Sequence, residues 1–188
     1  MLKIKTAPTI EPVSLLEAQE HLRIDVDDDA GLVTNLITAA REYCEGFQRR
    51  AFISQTWYLY LDEWPEYIEV PLPPLQSSGL SITYYDTANA PLAVSSGDYY
   101  VDTNSTPGRI ILNYGKTWPS TTLRSANGIC VEFIAGYGAT AATVPASVRQ
   151  AMLLLIAHWY ENREALSEKP LSSVPMAVES LLWMERVF

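Results

Sequence analysis

The sequence predicts an α+β protein: a small helical bundle formed by the N- and C-terminal helices, with an inserted antiparallel β module. Three observations carry this reading. Apolar residues recur with helical spacing only towards the two ends of the chain. Residues 54–137 hold most of the aromatics and prolines, in short β-rich runs separated by turn residues. Neither terminal pair of helices can bury its apolar surface alone, so the two pairs are expected to pack on each other. The 188 residues then divide into a discontinuous helical core (12–53 with 140–188), an inserted β-rich module (54–139) and a flexible N-terminal arm (1–11).

The elements follow in order. Ser14 with Glu17 three residues later is a capping-box pattern, and Leu15, Ala18 and Leu22 share a face, which predicts a helix over 15–23. Asp27, Asp28 and Asp29 place acids where the dipole of a second helix favours them. That helix carries Leu32, Leu36, Ile37, Ala40, Tyr43, Cys44 and Phe47 at three-to-four spacing and ends near the cations Arg49 and Arg50. Strands are expected at 56–61, 67–70, 80–85, 99–102, 109–113 and 129–135, a set that fits a small antiparallel sandwich or barrel. The loop from Asn104 to Gly108 makes a hairpin of 99–102 and 109–113, and Pro71, Pro73 and Pro74 mark an edge or a loop. Pro145 opens a third helix over 145–166, with Val148, Met152, Leu155, Ile156, Trp159 and Arg163 down one side. Residues 151–157 are apolar all round, so this helix is expected to be buried on more than one face. A polar link at 167–174 leads to a last helix from about residue 175, bearing Val178, Leu181, Leu182 and Met184.

Composition narrows the function. The formal net charge is −9, with 13 basic residues scattered along the chain. Binding DNA through its backbone needs clustered Lys and Arg, so DNA is a poor target. The longest apolar stretch is far shorter than the ~20 residues of a membrane span, and the N-terminus lacks the apolar region of a signal peptide. A soluble protein made in a reducing cytoplasm is expected, with Cys44 and Cys130 as buried free thiols.

A search for chemistry finds little. The two histidines are His21 and His158. His158 and Glu161 are three apart on a helix, yet a metal site needs more ligands than that pair. Asp62 and Glu63 could serve acid–base work only if the fold set two carboxylates about a sugar. Gly136-Tyr137-Gly138 lacks the rest of a phosphate loop and reads as a turn ending a strand. No catalytic residue, metal ligand or cofactor site is therefore expected, and the protein is read as no enzyme. Trp57, Trp64, Tyr84, Tyr85, Tyr99, Tyr100, Trp118 and Tyr137 leave a competing reading open, a carbohydrate- or protein-binding β module on a helical scaffold.

A resemblance adds to this. The run from Ser14 to Arg23, the Asp-rich step and the run from Leu36 to Glu45 resemble the opening of phage head-tail connector (adaptor) proteins, of the gp6-like and phiE125 gp8 type. Gln55-Thr56-Trp57, the run from Pro71 to Gln76, Tyr100-Val101-Asp102, the run from Pro107 to Ile110 and Trp118-Pro119 are similar to landmarks of the inserted module. The run from Ala135 to Gly138, Val144-Pro145 and the run from Leu154 to Glu164 are similar to the third-helix region. The likeness spans roughly residues 12–188. It implies a virion protein of a phage or prophage, assembled in the host bacterial cytoplasm into an oligomeric ring, dodecameric in the particle. Such a ring lies between the portal protein and stopper or tail-completion proteins at the head-tail junction, and DNA passes through it without specific binding.

Two expectations about residues follow. Arg41, Arg49, Arg50, Arg149 and Arg163, among acids such as Glu161 and Glu164, are candidates for subunit or partner interfaces; solvated helix faces are the equal alternative. A channel wall that repels phosphate lets DNA slide, which makes Asp27, Asp28 and Asp29, or acids of the inserted module, candidates for the lumen. The N-terminal arm and the 167–174 link are the candidate contacts with portal or stopper.

Overall fold

The computed structural model describes residues 1–25, 28–162 and 176–187. The chain forms two compact units, one from Met1–Pro8 with Ser54–Tyr137 and the other from Thr9–Ile53 with Gly138–Phe188.

The second unit is helical: α1 (Leu15–Leu22), α2 (Ala30–Gln48), a 3-10 turn (Ala141–Thr143), α3 (Ala146–Glu161) and α4 (Met176–Trp183). The box at α1 forms as the sequence predicts. Glu17 N donates to Ser14 Oγ at 3.2 Å, and Ser14 N donates to Glu17 Oε2 at 2.8 Å. The helix stops at Arg23, whose left-handed backbone (φ 58°) turns its N–H back to the carbonyls of Gln19 and Glu20.

α3 packs against α1, α2 and α4. Ala151, Met152, Leu155 and Ile156 are completely buried, so the all-round apolar middle of α3 has a neighbour on more than one side. The helix end expected at 166 and the link at 167–174 lie outside the described residues.

α2 is turned from its expected orientation. Its buried residues are Val33, Ile37, Ala40, Arg41, Cys44 and Gln48, whereas Leu32, Leu36, Tyr43 and Phe47 are half-buried. The reason is that two polar side chains on the inward stripe find partners. Gln48 Nε2 donates to the carbonyl of Leu182 at 2.7 Å, and the N–H of Val187 donates to Gln48 O at 3.0 Å. The first bond supplies a donor to a carbonyl at the C-terminal end of α4 and the second supplies one to the last carbonyl of α2, groups that would otherwise lack donors.

The first unit is all β: β1 (Leu2–Thr6), β2 (Gln55–Leu61), β3 (Ile68–Val70), β4 (Ser81–Tyr85), β5 (Pro91–Ala93), β6 (Tyr99–Asp102), β7 (Gly108–Leu112) and β8 (Ile129–Ala135). They form a five-stranded sheet, β1-β2-β8-β4-β5, and a three-stranded sheet, β3-β7-β6, with every pairing antiparallel. The expected hairpin is β6–β7. β8 is the central strand of the larger sheet, and Ile129, Cys130, Val131, Phe133 and Ala135 along it are buried. Both sheets contribute buried residues, with Leu59, Ile82, Val131 and Phe133 from the larger and Ile68, Val70, Tyr99 and Ile110 from the smaller.

The N-terminal arm is corrected. Residues 2–6 are not a flexible tail but an edge strand, and they belong to the β unit. Leu2 lies opposite Leu59 and Ile4 opposite Trp57, the amino group of Met1 donates to Tyr60 O at 2.7 Å, and Lys5 pairs with Glu132 at 2.6 Å. Backbone bonds and a cross-strand ion pair order the segment without much burial.

Candidate subunit interface

The seven interface candidates fall into distinct classes. Arg41 is drawn inward, its side chain only 8% exposed. Its Nε donates to Glu11 Oε2 and its Nη1 to Glu45 Oε2, both at 2.8 Å, and Glu42 lies 3.5 Å away. Glu11 also accepts from Thr38 Oγ1 at 3.0 Å, and Glu45 Oε1 accepts from the Phe52 N–H at 2.8 Å. Burial works against the Arg41 charge, but Glu45 and Glu11 outweigh it and raise its pKa above the ordinary value. Arg41 is thus an internal clasp joining the segment before α1 to α2 and to the chain after α2, which removes it from the interface set.

Arg149 also bonds within its unit. Nε donates to Pro12 O at 3.0 Å and Nη2 to Glu17 Oε1. Arg50 Nε donates to the carbonyl of Glu185. Arg49 and Glu161 are different, both exposed. Arg49 closes α2 with a left-handed backbone (φ 56°), and its guanidinium meets no partner among the described residues. Arg163 and Glu164 lie outside those residues, as does Asp27. Asp28 and Asp29 are exposed, and Asp29 Oδ2 accepts from the Tyr160 hydroxyl at 2.8 Å.

Glu17 carries a pH consequence. The Ser14 backbone N–H, with its hydroxyl and Arg149, holds the Glu17 carboxyl below the usual range despite some burial. A carboxylate depressed in the folded state stabilises above its unfolded pKa, and that contribution is lost as pH falls through the folded value. Thermal stability is therefore expected to fall as the solution is acidified below about pH 4.3, the unfolded value for Glu. Glu17→Gln should flatten the dependence, as scanning calorimetry across that range would show; an identical profile would remove Glu17 as a contributor.

The apolar surface, which sequence reasoning left unassigned, is where the structure adds most. In the smaller sheet Tyr100 and Ile111 are directly opposed on the outward face, 57% and 36% exposed, and Tyr67, 45% exposed, stands just before β3. The next row along is Glu69, Arg109 and Asp102. Arg109 pairs with Asp102 at 2.9 Å, leaving Glu69 exposed. In the helical unit Trp183 and Met184 are exposed beyond Phe47. Phe47 and Trp183 meet edge-on at 6.2 Å, and the Arg186 guanidinium lies over both rings, 4.8 and 4.9 Å from their centroids. A period-two reading of 99–102 and 108–112 could have found the first surface. The second depends on which helices adjoin, which no local pattern states.

Three of the aromatics behind the carbohydrate-binding alternative pack on one another. Trp64 stacks on Trp118 at 4.7 Å with the rings 10° apart, Tyr84 meets Trp64 edge-on, and Trp118 Nε1 donates to Pro65 O at 2.8 Å. Those ring faces are turned to one another. The thiols are likewise inward: burial pushes Cys44 up to about 12 and also raises Cys130, opposite to what a nucleophile needs. Among the described residues no three His, Cys, Asp or Glu side chains gather to hold a metal, and no helix is long and apolar enough to cross a membrane.

The chain is thus an α+β protein in which a helical unit is interrupted by an antiparallel β unit, with exposed tyrosines on the smaller sheet. No protein-family model and no curated protein matches the chain. Solved structures do. A chain from the neck of an empty GTA particle, computed with C6 symmetry, superposes with a TM-score of 0.84 at 24% identity, covering 100% of this chain and 96% of that one. A chain from the virion of a native gene transfer agent (GTA) particle gives 0.80 at 23% identity, and one from the neck of a native GTA particle computed with C12 symmetry gives 0.79 at 24%, both with the same coverage. At these identities the likeness establishes the fold.

Proposed function

We propose that this chain is a structural subunit of a phage-type particle neck: one copy in a connector ring between the portal and the stopper or tail-completion proteins, through which DNA passes. The observation that carries the proposal is the full-length likeness to chains from GTA necks, which leaves neither unit of this chain over. Twelve copies is the favoured number, supported by the C12 symmetry of one neighbour. The ring belongs at the head-tail junction of the virion and assembles in the host bacterial cytoplasm. The role calls for no catalytic group. It also fits a chain of net charge −9, since an acidic wall lets DNA slide; the exposed Asp28 and Asp29 remain lumen candidates, as do acids of the β unit.

Negative-stain images of the purified chain, alone and mixed with its portal protein, test this. Rings are expected in at least one of the two samples. Their absence from both would refute the reading.

A further inference from the structure

The two surfaces described above complement each other in charge. On the sheet face of β3-β7-β6, Glu69 is exposed beside Tyr67, Tyr100 and Ile111, while Arg109 is held by Asp102. Glu66, one residue before Tyr67, is a further exposed acid. The face is therefore apolar with a negative border. At the C-terminal ends of α2 and α4 the pattern is reversed. Arg49 is exposed, Arg186 lies on Phe47 and Trp183, and Trp183 and Met184 present 49% and 67% of their surface. That face is apolar with a positive border.

We propose that these faces dock head to tail between copies of this chain, the acidic tyrosine face of one copy receiving the cationic Trp183 end of the next. The inference rests on the ring reading and deepens it by naming the contact. Three arguments support a second copy as the occupant. Each border has an excess of one sign, Glu66, Glu69 and Asp102 against Arg109 on the sheet face and Arg49, Arg50 and Arg186 against Glu185 on the other, which favours unlike faces over like ones; a contact between two different surfaces is what a cyclic ring requires. Tyr, Trp and Arg are the residues that carry most of the energy of protein interfaces, and here Tyr67 and Tyr100 stand on one face and Trp183, Arg49 and Arg186 on the other. The aromatic anchors are also fixed in advance. Tyr100 stands on a paired strand and Trp183 is braced by Phe47 and Arg186, so little side-chain freedom is lost on docking.

The test is a charge swap on the full-length chain, in whichever sample forms rings, alone or with portal. Arg49→Glu and Glu69→Arg should each weaken assembly about tenfold or more, because each sets like charges against each other. The double variant should return to within about threefold of wild type. Tyr100→Ala should weaken assembly by about tenfold. All three positions are exposed, so thermal midpoints should stay at the wild-type value, which separates lost contact from lost fold. As an independent check, mixing an Arg49→Cys chain with a Glu69→Cys chain should give an oxidised dimer that neither gives alone, since Cys44 and Cys130 are buried. Rings that tolerate both single reversals, or a double variant no better than either single, overturn this contact and leave the ring reading standing. A wild-type chain that forms rings in neither sample removes both.

Discussion

Arg41→Ala is expected to destabilise the helical unit by about 3–5 kcal/mol, the usual cost of removing one partner from a buried ion pair. The magnitude comes less from the lost attraction than from what is left behind. Without the guanidinium, Glu11 and Glu45 face each other across the vacated space, and Glu45, only 13% exposed, cannot regain its hydration. Glu45 would keep the bond from the Phe52 N–H and Glu11 the bond from Thr38, neither of which carries a compensating positive charge. Urea unfolding followed by far-ultraviolet circular dichroism should show a lower midpoint with an unchanged slope. Replacing Arg41 by Met together with Glu11→Gln and Glu45→Gln should recover much of the loss, because no unpaired charge is then buried. A loss below about 0.5 kcal/mol for Arg41→Ala would place the residue among ordinary surface positions and contradict the clasp.

The same cluster shows where sequence reading stops. Arg41 stands four residues after Ile37 and three before Cys44, on the stripe that α2 turns inward. Its position alone could have separated it from Arg49 and Arg50. Its partner Glu11 is thirty residues earlier, in a segment without periodicity, and nothing local links the two. The capping box at α1 was legible because all its atoms come from residues 14–17. Six strands were legible for a similar reason, being runs of β-formers bounded by turns. β1 and β5 were not. β1 alternates Leu2, Lys3, Ile4, Lys5, but a lysine-rich edge strand shows little apolar signal, and its partner β2 begins about fifty residues on. β5 is three exposed residues starting with Pro91, formed because Asp86 Oδ1 accepts the N–H groups of Ala88 and Ala90 and turns the chain back along β4. The proposed contact was the least legible part. Charge pattern singled out arginines, whereas the fold uses three of them for internal bonds, and the exposed tyrosines of the smaller sheet depend on which sheet face meets the core.

The β unit has its own point of greatest sensitivity. Phe133→Ala is expected to cost about 3–5 kcal/mol, the range for emptying a buried aromatic position. Phe133 is fully buried on β8, the strand that holds β2 on one side and β4 on the other, and its register partner on β2 is Trp57. A void there removes packing at the centre of the five-stranded sheet, and surrounding strands pinned by ladder bonds on both sides can collapse only in part. Phe133→Leu should cost about 1 kcal/mol, since most of the volume stays. Near-ultraviolet circular dichroism is the suitable probe, because the stacked Trp64–Trp118 pair belongs to this unit. Its thermal transition should shift down strongly for Ala and weakly for Leu; equal shifts would mean that the cavity is not what sets the cost. If Tyr100 and Ile111 are the contact between copies, ring assembly by Phe133→Ala should fail on warming together with this transition. Rings that outlast the loss of the near-ultraviolet signal would show that assembly does not depend on the β face.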